Sequence, residues 1–120
     1  MPLVRDLTGT SGAYRGDVYD HTFTIQDDGV GRDLSDCTVA AQWRPYVRSM
    51  DPVDFDTSSS NLAIGVIVIE LTGAQTAELI TDGYYDVELT YTVDGARETI
   101  VAGEFETTGD ITRIPEPLEL

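Results

Sequence analysis

From Tyr85 the chain alternates without a break, with Tyr85, Val87, Leu89, Tyr91 and Val93 at odd positions and Asp86, Glu88, Thr90 and Thr92 between them. Side chains on an extended backbone point to opposite faces in turn, so one face of a sheet receives an apolar row and the other a polar row. Asp94-Gly95 follows, a dipeptide that tolerates positive φ and strongly signals a hairpin. A two-residue turn there sets Val93 opposite Ala96, Leu89 opposite Ile100 and Val87 opposite Ala102, so apolar partners meet across the strands. Gly83 to Thr107 therefore reads as one β-hairpin. Gly103 interrupts its second strand, and Phe105 has the opposite parity to Ile100, so a bulge near Gly103 is expected to switch faces.

The remaining segments follow the same grammar. Asp17 to Gln26 reads as a strand with Tyr19, His21, Phe23 and Ile25 on one face, closed by the turn Asp27-Asp28-Gly29-Val30-Gly31. Leu34 to Thr38 leads into a second strand with Val39, Ala41 and Trp43 inward, and the single Trp is the expected centre of the core. Pro45 to Asn61 is irregular, with Val53-Asp54-Phe55 as a short edge strand. Val66-Ile67-Val68-Ile69 is β-branched and continuous, which predicts a strand buried on both faces. Thr72 is placed to cap a helical turn over Ala74 to Leu79, which Asp82-Gly83 ends. About seven short strands with one short helix before the final hairpin predict an all-β fold, an antiparallel β-sandwich of the immunoglobulin-like kind. Asp82-Gly83-Tyr84-Tyr85 resembles the tyrosine-bearing corner of such folds. Residues 1–13 are expected as an N-terminal arm or edge segment, 14–113 as the domain and 114–120 as an extended tail with Pro115 and Pro117.

At 120 residues the chain has room for one core. Its formal net charge is -15, from 22 acidic residues against seven arginines and no lysine. Such a field repels phosphate backbones and anionic bilayers, which argues against nucleic-acid and membrane partners. A high-GC genome and a saline host each account for the composition. Cys37 is the only cysteine, so no intrachain disulfide forms, and its apolar surroundings mark it as a small buried hydrophobe. No run approaches the ~20 apolar residues that cross a bilayer. The expectation is a soluble intracellular product, or one assembled inside a cell.

Catalysis would rest on His21, the only histidine, which sits in strand alternation and reads as a structural imidazole; no catalytic residue is assigned and the chain is expected not to be an enzyme. Asp27, Asp28 and Asp33, or Asp51, Asp54 and Asp56, offer hard oxygen ligands for Ca2+, but neither set has an EF-hand spacing, so no cofactor is expected. Arg15-Gly16-Asp17 matches an integrin-binding tripeptide and is read as the opening of a strand. Exposed Tyr14, Tyr46 and Tyr84 are the candidates should the chain recognise carbohydrate.

Arg15-Gly16-Asp17, Thr22-Phe23-Thr24-Ile25, Arg32 to Val39, Leu71 to Ala77 and Gly83 to Val87, in that order, resemble the small immunoglobulin-like domains of tailed-virus structural proteins, including the N-terminal domain of baseplate upper proteins. The resemblance spans Arg15 to Arg113 and implies a non-enzymatic virion component, made in the host cytoplasm and held in a large assembly or homo-oligomer. The chain stops at Leu120, where a baseplate adaptor continues into a fibre or receptor-binding region, so the expectation is a module attached to the head surface as decoration, or to the tail. A baseplate adaptor or a carbohydrate-binding adhesion module is the alternative. Pro2, Leu3 and Val4 at one end, and Ile114, Pro115, Pro117 and Leu118 at the other, are the expected contacts with capsid or tail subunits.

Overall fold

The computed structural model describes residues 3–46, 52–79 and 81–109. In chain order its strands are β1 (Leu3–Val4), β2 (Ala13–Tyr14), β3 (Tyr19–Thr24), β4 (Gln26–Asp27), β5 (Val30–Gly31), β6 (Cys37–Arg44), β7 (Val53–Asp54), β8 (Val66–Leu71), β9 (Gly83–Tyr91), β10 (Arg97–Phe105) and β11 (Thr107–Thr108). A short helix, α1 (Gly73–Ala77), joins β8 to β9, and the fold is all-β. Five strands form one sheet in the order β1-β10-β9-β6-β7, while β3 pairs with β8, β2 with β11 and β4 with β5.

The alternation read from the sequence sets the inward rows. Tyr85, Val87 and Leu89 are buried on β9 while Tyr84 and Asp86 are exposed. Cys37, Ala41 and Trp43 give the matching row of β6, Tyr19 and Phe23 that of β3, and Ile67, Ile69 and Leu71 that of β8. Rings from the two sheets meet between them: Phe23 stacks 6.1 Å from Tyr85, and Tyr19 stands edge-on 5.2 Å from Phe105. Phe105 also packs against Phe55 and Tyr85, so the aromatic contacts converge on it rather than on Trp43.

Several expectations change. Tyr91 N–H donates to the Ala96 carbonyl and Gly95 N–H to the Tyr91 carbonyl, both at 2.8 Å, so residues 92–95 form a four-residue loop. Gly95 takes φ 73° there, and Val93 stands at the tip, 85% exposed, instead of pairing with Ala96. The longer loop moves the register, so that Leu89 faces Glu98 and Val87 faces Val101. The bulge falls between Thr99 and Val101 rather than near Gly103; Ile100 is the extra residue, and Ile100 and Val101 are both buried. That change of parity brings Phe105 into the core. On β8, Val66 and Val68 are only half-buried, so the strand faces the core on one side and not on both. The Tyr85 hydroxyl donates to the Arg5 carbonyl, and among the described residues it makes no bond to the chain just upstream as a tyrosine corner requires.

Arg5 belongs to the leader, and residues 3–13 are built into the body rather than standing off as an arm. Leu3–Val4 pairs in parallel with Val101–Ala102, Leu7 bridges to Phe105, and Ala13–Tyr14 pairs in parallel with Thr107–Thr108. Leu7 and Ala13 are buried, which supplies the apolar anchor. The Tyr19 hydroxyl holds the same segment from below, donating to the Ser11 carbonyl at 2.8 Å.

Candidate functional site

The outward face of the five-stranded sheet carries an open trough of about 710 Å³. Register builds it in two rows. Glu104, Tyr84 and Arg44 stand side by side on β10, β9 and β6, and Val4, Ala102, Asp86, Gln42 and Asp54 run across all five strands in the next row. The floor is low because Ala102, which faces outward beside Asp86, has almost no side chain. Gly103 is forced to be small, since a Cβ there would lie 2.3 Å from the Arg5 carbonyl oxygen of the neighbouring leader. Arg44 Nη2 donates to Gln42 Oε1 at 2.8 Å, and Gln42 Nε2 donates to Asp54 Oδ1 at 2.8 Å, which fixes the β6 side of the wall. Asp86 is held above the ordinary carboxylate range by desolvation and then by the nearby Glu88, against the pull of Arg44.

A second surface is the outer edge of β3. On β8 the N–H groups of Val66 and Glu70 donate to the Asn61 and Asp56 carbonyls, and Val68 N–H donates to Ser60 Oγ, each at 2.9 Å. One edge of β8 is thus occupied by residues 56–61. Ile67, Ile69 and Leu71 must then bond to Phe23, His21 and Tyr19, their register partners. The backbone groups of Asp20, Thr22 and Thr24 point the other way, where no strand of the described residues lies, and all three residues are exposed.

The structure separates most residues singled out from the sequence. Tyr14, Tyr46 and Tyr84 are all exposed, but of the three only Tyr84 lines the trough. His21 is half-buried with its ring 4.8 Å from Phe23, and burial lowers its pKa against the opposing charge of Asp20. Cys37 is buried, and that burial, with the Asp36 carboxylate beside it, pushes its thiol up to about 11. Asp27 takes the Arg32 guanidinium at 3.2 Å, Asp33 takes Ser35, and Asp56 takes the Ser58 N–H, so these three acids of the Ca2+ sets are each engaged by a different partner. Among the described residues no three His, Cys, Asp or Glu side chains converge on a metal position; Asp51 lies outside them. Arg15 and Gly16 bind the helix, through the Ala77 carbonyl at 3.0 Å and Thr76 Oγ1 at 2.9 Å. Leu3 and Val4 form the outer strand of the large sheet with exposed side chains, and Val4 borders the trough. Pro2, Ile114, Pro115, Pro117 and Leu118 lie outside the described residues.

Arg44, Asp86, Ala102 and Glu104 were not singled out by the sequence. For Arg44, Asp86 and Glu104 the only signal was parity opposite to the inward row, which could not align them across strands without the register, whereas Ala102 was expected inward opposite Val87 and is turned outward, opposite Asp86, by the bulge. A scan against protein-family models finds no match, and a search of the curated proteins returns none.

Proposed function

We propose that the chain is a non-enzymatic, immunoglobulin-like sandwich module of a tailed-virus particle, attached to the outside of the head and held by strand addition along β3. The strand order supports the fold reading: β10-β9-β6-β7 follows strands G, F, C and C′ of immunoglobulin-like domains, and β3 and β8 stand where B and E do. The attachment reading is carried by the β3 edge, a six-residue strand whose outward N–H and C=O groups form a template for a partner's backbone. Natural sheets blunt such edges, as residues 56–61 do for β8. An edge that no strand of the described residues covers is the place for a virion neighbour, and the exposed Leu3 and Val4 offer an additional apolar contact.

Two measurements test this. Mass spectrometry of purified particles should find the chain as a stoichiometric component, and its absence would overturn the virion role. Thr22→Pro removes an N–H that points away from β8, so the sheet bond to β8 is kept while backbone pairing on the outer edge is blocked. The variant should melt close to the wild type and fail to co-sediment with particles that lack the protein. Equal co-sedimentation of the two would overturn attachment through β3.

A further inference from the structure

We infer that the trough on the outer sheet face is a binding site for a neutral oligosaccharide, with the Tyr84 ring as the platform and Asp86, Glu104 and Arg44 as the hydroxyl-reading groups. Its volume of about 710 Å³ lies in the range of small-molecule sites, roughly 300–1,000 Å³. The lining selects the ligand by its chemistry. Carboxylates accept hydrogen bonds and a guanidinium only donates them, so the ligand must present both donors and acceptors within one small area. Sugar hydroxyls do both. An anionic ligand meets Asp6, Asp86 and Glu104 at the walls, in a chain of formal net charge -15. A cationic ligand meets Arg44, which stands in the same row as Tyr84 and Glu104. A neutral ring avoids both conflicts, and its C–H face covers the apolar part of the trough, made by Tyr84, Ala102 and Val4.

The site is rigid where recognition needs it to be. Every named wall residue of β6, β9 and β10 is on a paired strand, which favours binding because little conformational freedom is lost.

The test is a glycan array probed with the whole chain, with neutral, acidic and amino-sugar glycans as separate groups, followed by calorimetric titration of the best neutral glycan. Binding confined to the neutral group is expected. Tyr84→Ala should weaken it about tenfold or more. Ala102→Tyr, which fills the floor instead of stripping a wall, should abolish it, and circular dichroism melting establishes that each variant is folded. Thr22→Pro should bind glycan as the wild type does, which separates this site from attachment through β3. Retention of no neutral glycan, preference for acidic or amino sugars, or neutral-glycan binding that survives both trough variants would overturn the assignment.

Discussion

Asp86 shows how one outward side chain records its surroundings. It stands on the polar face of β9 between Ala102 and Gln42, partly desolvated and close to Glu88. Its folded-state pKa is raised, so the native state binds its proton more tightly than the unfolded chain does. The contribution is therefore least unfavourable below the ordinary carboxylate pKa, and stability falls as pH rises through the interval up to the raised value. Asp33 and Asp56 have the opposite sign, because Ser35 and Ser58 donate to their charged forms; their contribution is present above the unfolded pKa and is lost as pH falls through the lowered one. Asp86→Asn should accordingly melt higher than the wild type at pH 7, with the difference vanishing under acid conditions where both side chains are neutral. A melting series from pH 3 to pH 8 measures it, and an equal difference at every pH would sink the explanation. The sequence showed that Asp86 faces outward. It did not show its neighbours, because outwardness follows from parity alone whereas neighbours follow from register.

The leader is the segment most dependent on contacts from elsewhere. Its strands are two residues long and pair in parallel, and they are held by Leu7 in the core and by two phenol hydroxyls, Tyr85 on Arg5 and Tyr19 on Ser11. Tyr85→Phe deletes one of these bonds and keeps the ring in its stack with Phe23, at a cost of about 0.5–1.5 kcal/mol. Amide hydrogen exchange should quicken first at Arg5 and Leu7, whose N–H groups donate to Ala102 and Glu104, while the β6–β9 amides keep their protection. Uniform acceleration across the sheet would mean that the hydroxyl acts on the whole fold and not on the leader. Such short pairings leave no period in the sequence, which is why residues 1–13 read as either an arm or an edge segment, and residues 3–4 are the edge strand. The strands β3, β6 and β9 were legible because six to nine residues of alternation identify a face. The loop at Asp94-Gly95 was misread because a glycine at positive φ suits a four-residue loop as well as a two-residue turn. The helix, by contrast, was legible from Thr72, whose hydroxyl accepts Gln75 N–H while the Gln75 side chain accepts Thr72 N–H.

A formal charge of -15 on 120 residues sets the solution behaviour of the chain as a unit. Arg32 pairs with Asp27, but seven arginines cannot match 22 acids, so most of the acidic surface is balanced by solvent ions and not by arginine. Shortening the Debye length from about 10 Å at 0.1 M salt to about 3 Å at 1 M should raise the melting temperature. A flat or falling midpoint in sodium chloride would show that self-repulsion does not limit stability. The same field sets identical copies against one another, most strongly at low salt. The hydrogen bonds from residues 56–61 to β8 add a rule about growth. A ribbon with one adhesive border and one sealed border can finish a row but cannot lengthen it. On the proposed attachment through β3, the β3–β8 pair would take one partner strand and offer no second border of its own to the next.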